Sequence, residues 1–375
     1  QSQNKLAFVS TNSICQGEQM PIIWQQLFNL GIEIFFAHQS FKWTNNAKSN
    51  AGVTVIIIGL QAKNNDKKYL YLGGNLSKVD HINGYLTAGS NIFIKKSSNP
   101  ISKLPLITSA NRALDDGHLL LSPQEKDQII QAYPNAAQLI KPVLGAAEFL
   151  RGLKKYCLWI YDDNLDLALT IPPIKERIEK VRLYRLKRPQ TTGANPANKP
   201  HQFLKMKLAN NHAIFLPTVS SERREYIPIG FLDKNTVIID PNFAIYDPET
   251  WVFSVISSKM HMAWVRAIAG RLETRIRYSS TLCYNTFPFP NISEDQKKLL
   301  EFHVFNVLDE RERHSEKTLA ELYDPDKMPA GLREAHHNLD IAIEQCYRLK
   351  PFESDEERLE YLFALYEQMT YKGSK

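Results

Sequence analysis

The sequence predicts a mixed fold in three consecutive parts: the end of an α/β sheet, an α+β domain and a helical tail. Three observations carry this reading. Strand-like apolar runs alternate with one amphipathic helix over residues 5–60. Short helix and strand patterns rich in Pro and Gly fill residues 76–290. Only helical periodicity follows from residue 294 onward. The boundaries fall at 1–75, 76–290 and 291–375.

Residues 5–10 form a short apolar run, read as a buried strand. Residues 18–30 carry Ile22, Ile23, Leu27 and Leu30 at helical spacing, and Gly31 stops the helix. Residues 32–37 and 53–60 are further strands; the β-branched run Ile56-Ile57-Ile58 suits a strand covered on both faces. Residues 63–68 read as a polar turn. Residues 248–272 read as one helix, with Pro248 in its first turn and Gly270 ending it. Residues 271–282 then have strand character. Residues 188–200, with Pro189, Gly193, Pro196 and Pro200, read as a loop. In the tail, residues 294–316, 332–349 and 354–368 read as amphipathic helices. Ser354 with Glu357 makes a capping box.

The chain has 375 residues and is 43% hydrophobic, which excludes a disordered tail. Its four Cys are far apart with no Cys-x-x-Cys pair, which argues against a zinc site and a disulfide framework. No apolar stretch is long enough to span a bilayer, so neither a membrane nor a metal is expected, and the compartment expected is the cytoplasm. Gln1, with a strand beginning almost at once, reads as a start inside a longer chain. From Gln296 to the end there are 12 Lys/Arg against 17 Asp/Glu, leaving 34 against 23 upstream. A basic body with an acidic tail suits a polyanionic partner.

Residues 5–14 followed by Gln16-Gly17-Glu18-Gln19, the run Ala37-His38-Gln39-Ser40-Phe41-Lys42-Trp43, and residues 53–59 resemble segments that follow the catalytic motif in MmeI-like (type IIL) restriction–methylation enzymes. Residues 149–159, 220–232 and 258–290 resemble that family's target-recognition domain. Residues 322–347 and 352–366 resemble its helical C-terminal domain. The resemblance covers nearly the whole chain in the family's order. It implies the end of a Rossmann-like methyltransferase sheet, a target-recognition domain and a helical C-terminal domain. It also implies S-adenosylmethionine as cofactor, adenine N6 as methyl acceptor, double-stranded DNA as partner and a restriction–modification setting. No glycine-rich cofactor loop and no Asn/Asp-Pro-Pro-aromatic tetrapeptide is present; Ile171-Pro172-Pro173-Ile174 lacks both flanking residues and reads as a turn. The resemblance therefore places the cofactor and catalytic motifs upstream of Gln1. No catalytic residue is expected in this chain, and alone it is expected to be inactive, with the missing N-terminal part of the same polypeptide as its partner. If that sheet is cut, the strand at Leu6–Val9 should be an exposed edge.

Methylating a paired adenine requires swinging it out of the stack, and a flat side chain then covers it. The resemblance implies Phe41 on the loop before the penultimate strand, with Trp43 second; the alternative is packing under the sheet. Glu273, Arg275 and Arg277, spaced by two, fall on one face of a strand. Facing DNA, Arg donates to guanine O6 and N7 and a carboxylate accepts from cytosine N4. The alternative is a solvated intrastrand ion pair. Asp240 and Asn242, near base-reading positions of the family, either read bases or form a turn. Arg223 and Arg224 are expected at backbone phosphates. Lys154, Lys155, Arg182, Arg185, Lys187 and Arg188 form a basic set that either lines the groove or is solvated. His261 is expected to be packed, and His336-His337 to be a surface pair. Two rival readings remain: a stand-alone DNA specificity subunit acting in trans, and an RNA-modifying enzyme. The deep, narrow major groove of RNA disfavours the second.

Overall fold

The run after Asn4 forms β1 (Lys5–Thr11), followed by helix α1 (Gln19–Asn29), β2 (Ile32–Lys42), β3 (Thr54–Ala62), β4 (Lys68–Leu72) and β5 (Asn75–Val79). The computed structural model describes residues 4–43, 54–188 and 195–370. The five strands make one sheet in the order β1-β3-β2-β4-β5, with β3 antiparallel to both neighbours and β2 parallel to β4. β1 stands at the edge with Leu6 and Val9 exposed, as expected of an edge; the apolar run 5–10 is therefore not a buried strand, because β3 covers only one of its sides. Ile56 and Ile58 of its neighbour β3 are fully buried; Val53 lies outside the described residues. Gly31, at φ 73°, ends α1 in the left-handed conformation a glycine adopts freely.

Two local readings of this sheet need correction. The second strand does not stop at Ala37. Register shifts on either side of it absorb the crowded Phe35-Phe36 and polar Gln39-Ser40 pairs, and pairing continues to Lys42. Phe41 is therefore a strand residue, not a loop residue. Lys68 is not a polar turn residue either. Its ammonium is buried 2.7 Å from the equally buried Glu33. Burial pushes the Glu33 carboxyl up, but hydrogen bonds from Lys68, Gln61 and the Asn64 N–H outweigh it and hold the group below its ordinary value.

Residues 258–268 pack against the tail and belong to the same buried core as the first sheet. The apolar pattern over 248–272 is carried by two helices, Val252–Ile256 and Lys259–Ile268, not one. Ser258 breaks the run by accepting the His261 N–H at 3.2 Å as N-cap. Both helices are buried on nearly all sides, so hydrophobic spacing alone does not reveal the break. Trp264 packs on Phe363 and Tyr366 of the tail, and Tyr85 packs on Phe363. One core thus runs from Trp24 under the sheet to Leu339 and Phe363. A second core closes over Trp159, Ile174 and Val181. There Pro172 opens the helix Pro172–Leu186, so the Pro-Pro pair begins a helix and is not a free turn.

The long tail helices are Glu294–Glu312, Ala330–Tyr347 and Asp355–Thr370, with the short helix Leu319–Leu322 between the first two. Ser354 accepts the Glu357 N–H as read, while the Glu357 carboxylate turns to the Glu353 N–H and Arg348. A buried polar chain fastens the tail to the body. Tyr226 donates to Asp340 at 2.6 Å, and the Lys259 N–H donates to the same carboxylate at 2.7 Å. His336 stacks on Tyr226 and bonds Tyr323, so it is buried and not half of a surface pair. Arg311 bonds Tyr323 and the Ile229 carbonyl.

Burial raises the Asp340 carboxyl from 3.8 to about 7, against the opposing pull of Tyr226 and Lys259. The folded protein keeps this proton where the unfolded chain has lost it. Stability from this group is therefore complete below the unfolded value and is lost as pH rises toward 7. Asp340→Asn is expected to remove that slope. Urea titrations of both proteins across this range check it, and parallel curves would count against it.

Candidate nucleic-acid interface

The segment after Ile268 folds into a hairpin, Gly270–Leu272 against Arg275–Arg277, because Glu273 and Thr274 make a two-residue turn closed by the Leu272–Arg275 pair. Val219–Ser220 pairs on its far side. Ile276 is fully buried, while Arg275 and Arg277 face outward, so their shared face is as read. Glu273 is not on the strand. It occupies the turn at φ 58° and meets Arg275 from there at 2.9 Å.

A cleft of about 1260 Å³ opens beside this hairpin. Glu273, Thr274 and Arg277 form one wall, Asp240, Pro241 and Thr218 a second, and the segment following β1 a third. The structure thus brings Glu273, Arg277 and Asp240 together across one cleft. Asp240 is half-buried, which pushes its carboxyl up. Arg112, 4.0 Å away, and Lys205 oppose that shift. The third wall joins the hairpin directly: the Gly17 N–H donates to the Ile268 carbonyl at 3.0 Å, with Gly17 at φ 58°.

Other expected residues are placed differently. Asn242 is buried, and its amide donates to the Ile239 carbonyl at 2.8 Å; it shapes the turn and does not face the cleft. Arg223 is paired with Asp326 of the tail. Arg224 is half-buried, and its carbonyl accepts from Arg266. Phe41 lies edge-on to His38, which stacks on Tyr71. Trp43 is exposed at the end of the strand. Phe41 is half-buried, and neither aromatic lines this cleft. Arg185 belongs to no groove: it is buried and bonded to five backbone carbonyls. Arg182 pairs with Glu179. His261 is fully buried against Tyr278, and burial lowers its imidazole to about 3.

Sequence reasoning missed Thr218, Arg112 and Arg271. Arg271 lies two residues before Glu273, and its charge was the available signal. Among the described residues no acidic–His–Cys group is arranged to hold a metal, and no helix is long and apolar enough to cross a membrane. Among the described residues, neither the acid on β2 nor the turn after β1 is free to hold S-adenosylmethionine. The acid on β2, Glu33, is spent on Lys68, and the Gly17 N–H in the turn after β1 is spent on Ile268.

The fold defines a class: a mixed α/β protein in which a five-stranded sheet, an α+β body and a helical tail share one core. Comparison with known proteins makes this specific. Residues 88–291 match the family described as MmeI, target recognition domain; residues 1–72 match MmeI, DNA-methyltransferase domain; residues 292–372 match MmeI, C-terminal domain. The chain belongs to the MmeI family. It is 44% identical over 369 residues to DNA methyltransferase A of Bacillus subtilis (strain 168), covering 98% of this chain and 42% of that protein. It superposes with a TM-score of 0.88 and 38% identity on the type IIL restriction–modification enzyme MmeI solved in complex with DNA, covering 98% of this chain and 50% of that one. The chain therefore spans half or less of the length of these relatives.

Proposed function

We propose that this chain reads the base sequence of duplex DNA for an S-adenosylmethionine-dependent adenine-N6 methyltransferase of a restriction–modification system. Methyl transfer itself belongs to parts of such longer proteins that this chain does not span. The observation that carries the reading is the hairpin tip. Glu273 and Arg275 present a carboxylate and a guanidinium 2.9 Å apart, beside the outward Arg277, at the margin of a large cleft. A guanidinium fork fits guanine O6 and N7, and a carboxylate accepts from cytosine N4, so the couple suits one C·G pair. A carboxylate aimed at DNA is repelled by phosphates, which favours base edges as its target. Asp240 across the cleft is a second acceptor of the same kind. Matches to a target-recognition family and a relative solved with DNA support the assignment.

The test is selection from a random duplex library by the purified chain, followed by sequencing. One consensus containing a fixed C·G pair is expected. Binding without enrichment, or equal competition by duplex RNA, would overturn the reading. Supplied with S-adenosylmethionine and the selected duplex, the chain alone is expected to transfer no methyl group.

A further inference from the structure

Arg271 is the cation on the wrong face of the hairpin. It pairs with Ile276, so its side chain goes inward with that buried residue while Arg275 and Arg277 go outward. One of its terminal nitrogens, Nη2, donates to the Arg266 carbonyl at 3.0 Å. The other, Nη1, is buried with no hydrogen-bond partner among the described residues. Among the described residues no carboxylate lies within ion-pair distance of it; the repulsion of Arg266 acts on it more strongly than the opposing pull of Glu222. A buried guanidinium with a free N–H and no directly paired counter-charge is costly, and such a group calls for an anion.

Its position says where that anion would come from. Arg271 lines both the large cleft and a second cavity of about 300 Å³, so it stands in the partition between them. Asn12 and Gln16 line both as well, and their amide N–H groups can donate to an anion; the unpartnered Gln16 side-chain oxygen is an acceptor and cannot. Two amides and an unpaired guanidinium thus meet at one wall. Of the acids nearby, Asp355 in the smaller cavity is held by Arg266 and Arg358, while Glu356 lines the same cavity.

We propose that Arg271, with Asn12 and Gln16, forms a binding site for one phosphodiester of the DNA that enters the large cleft. The inward face of the hairpin keeps Arg271 from the base edges served by Arg275 and Arg277, so the group it meets is a backbone phosphate. This site rests on the DNA-reading proposal and adds a contact that fixes register without sequence preference.

The experiment uses the whole chain, the duplex selected by the wild type, and fluorescence anisotropy over a range of salt concentrations. Arg271→Gln is expected to weaken binding about tenfold and to reduce the salt slope by about 0.9, the value for one phosphate. The selected sequence should not change. Duplexes carrying one neutral methylphosphonate at a time should reveal a single linkage whose neutralisation weakens the wild type and leaves Arg271→Gln unaffected. Removing an unpaired buried cation should not lower the melting temperature. An unaltered salt slope, or a changed base preference at one position, would overturn the proposal. Should Arg271→Gln fail to fold, Arg271→Lys replaces it. That variant should keep the slope, bind more weakly and respond to the same linkage; a Lys variant equal to wild type would also overturn it. A wild-type chain that binds no duplex defeats the underlying reading instead, and the two failures are distinct.

Discussion

Exchanging the charges of the hairpin tip, Glu273→Lys together with Arg275→Asp, is expected to change the preferred base at one position and leave the rest of the selected sequence intact. The pair is exposed, with N–O separation 2.9 Å, so it contributes little to stability and its loss should not unfold the hairpin. Glu273 already sits at φ 58°, a conformation that disfavours Glu and Lys alike, so the swap adds no backbone strain. Ile276 and the Leu272–Arg275 backbone pairing are untouched. The discrimination at stake is about 1–3 kcal/mol for one well-placed contact, or about 5- to 150-fold between bases. Library selection with the double variant and with each single variant measures it. A new preference in the double variant, with relaxed preference in the singles, is the expected pattern. Uniform loss of binding with no new preference would mean the tip only supports the fold.

What the sequence could and could not convey is clearest in this hairpin. Alternation within a strand correctly placed Arg275 and Arg277 on the outward face. Alternation cannot be carried through a turn. A two-residue turn changes parity, so Arg271 goes with Ile276 and not with Arg275, although all the charged positions from 271 to 277 are odd-numbered. The same limit explains Lys68. Its charge suggested a turn, and nothing local announced that Glu33, far away in sequence, would be buried beside it. Arg223 met Asp326, and His336 met Tyr226, through packing between the body and the tail that no local pattern encodes. Features fixed by near neighbours were legible: the Gly31 stop, the Ser354 cap, and the three long tail helices. The order of parts was legible as well, because a long resemblance in order needs no contact information.

Arg185→Ala should cost more stability than any surface charge in the basic set, and it should do so without changing which DNA is bound. The guanidinium is buried, and burial lowers its affinity for a proton more than the charge of Asp115 raises it; no carboxylate is hydrogen-bonded to it among the described residues. Its nitrogens instead donate to the carbonyls of Ala113, Leu114, Pro196, Lys199 and Gln202 at 2.7–2.9 Å. All five N–H groups are used, and they tie both ends of the 113–208 region to the helix Pro172–Leu186. Alanine would leave those acceptors without a donor, at about 1–3 kcal/mol for each that water cannot reach. A loss of more than about 4 kcal/mol is the expected total. Lysine should not rescue it, because a single ammonium cannot satisfy five acceptors arranged around a planar fork. Arg182→Ala, which removes only the exposed pair with Glu179, should be close to neutral. Chemical denaturation and hydrogen exchange separate these outcomes: Arg185→Ala should lose protection first around Trp159 and Val181 in the second core, while Trp264 and its neighbours keep theirs. Equal stability of Arg185→Ala and Arg182→Ala would mean that the five carbonyl contacts do not hold this region. Arg185 would then return to the set of basic residues available to a phosphate.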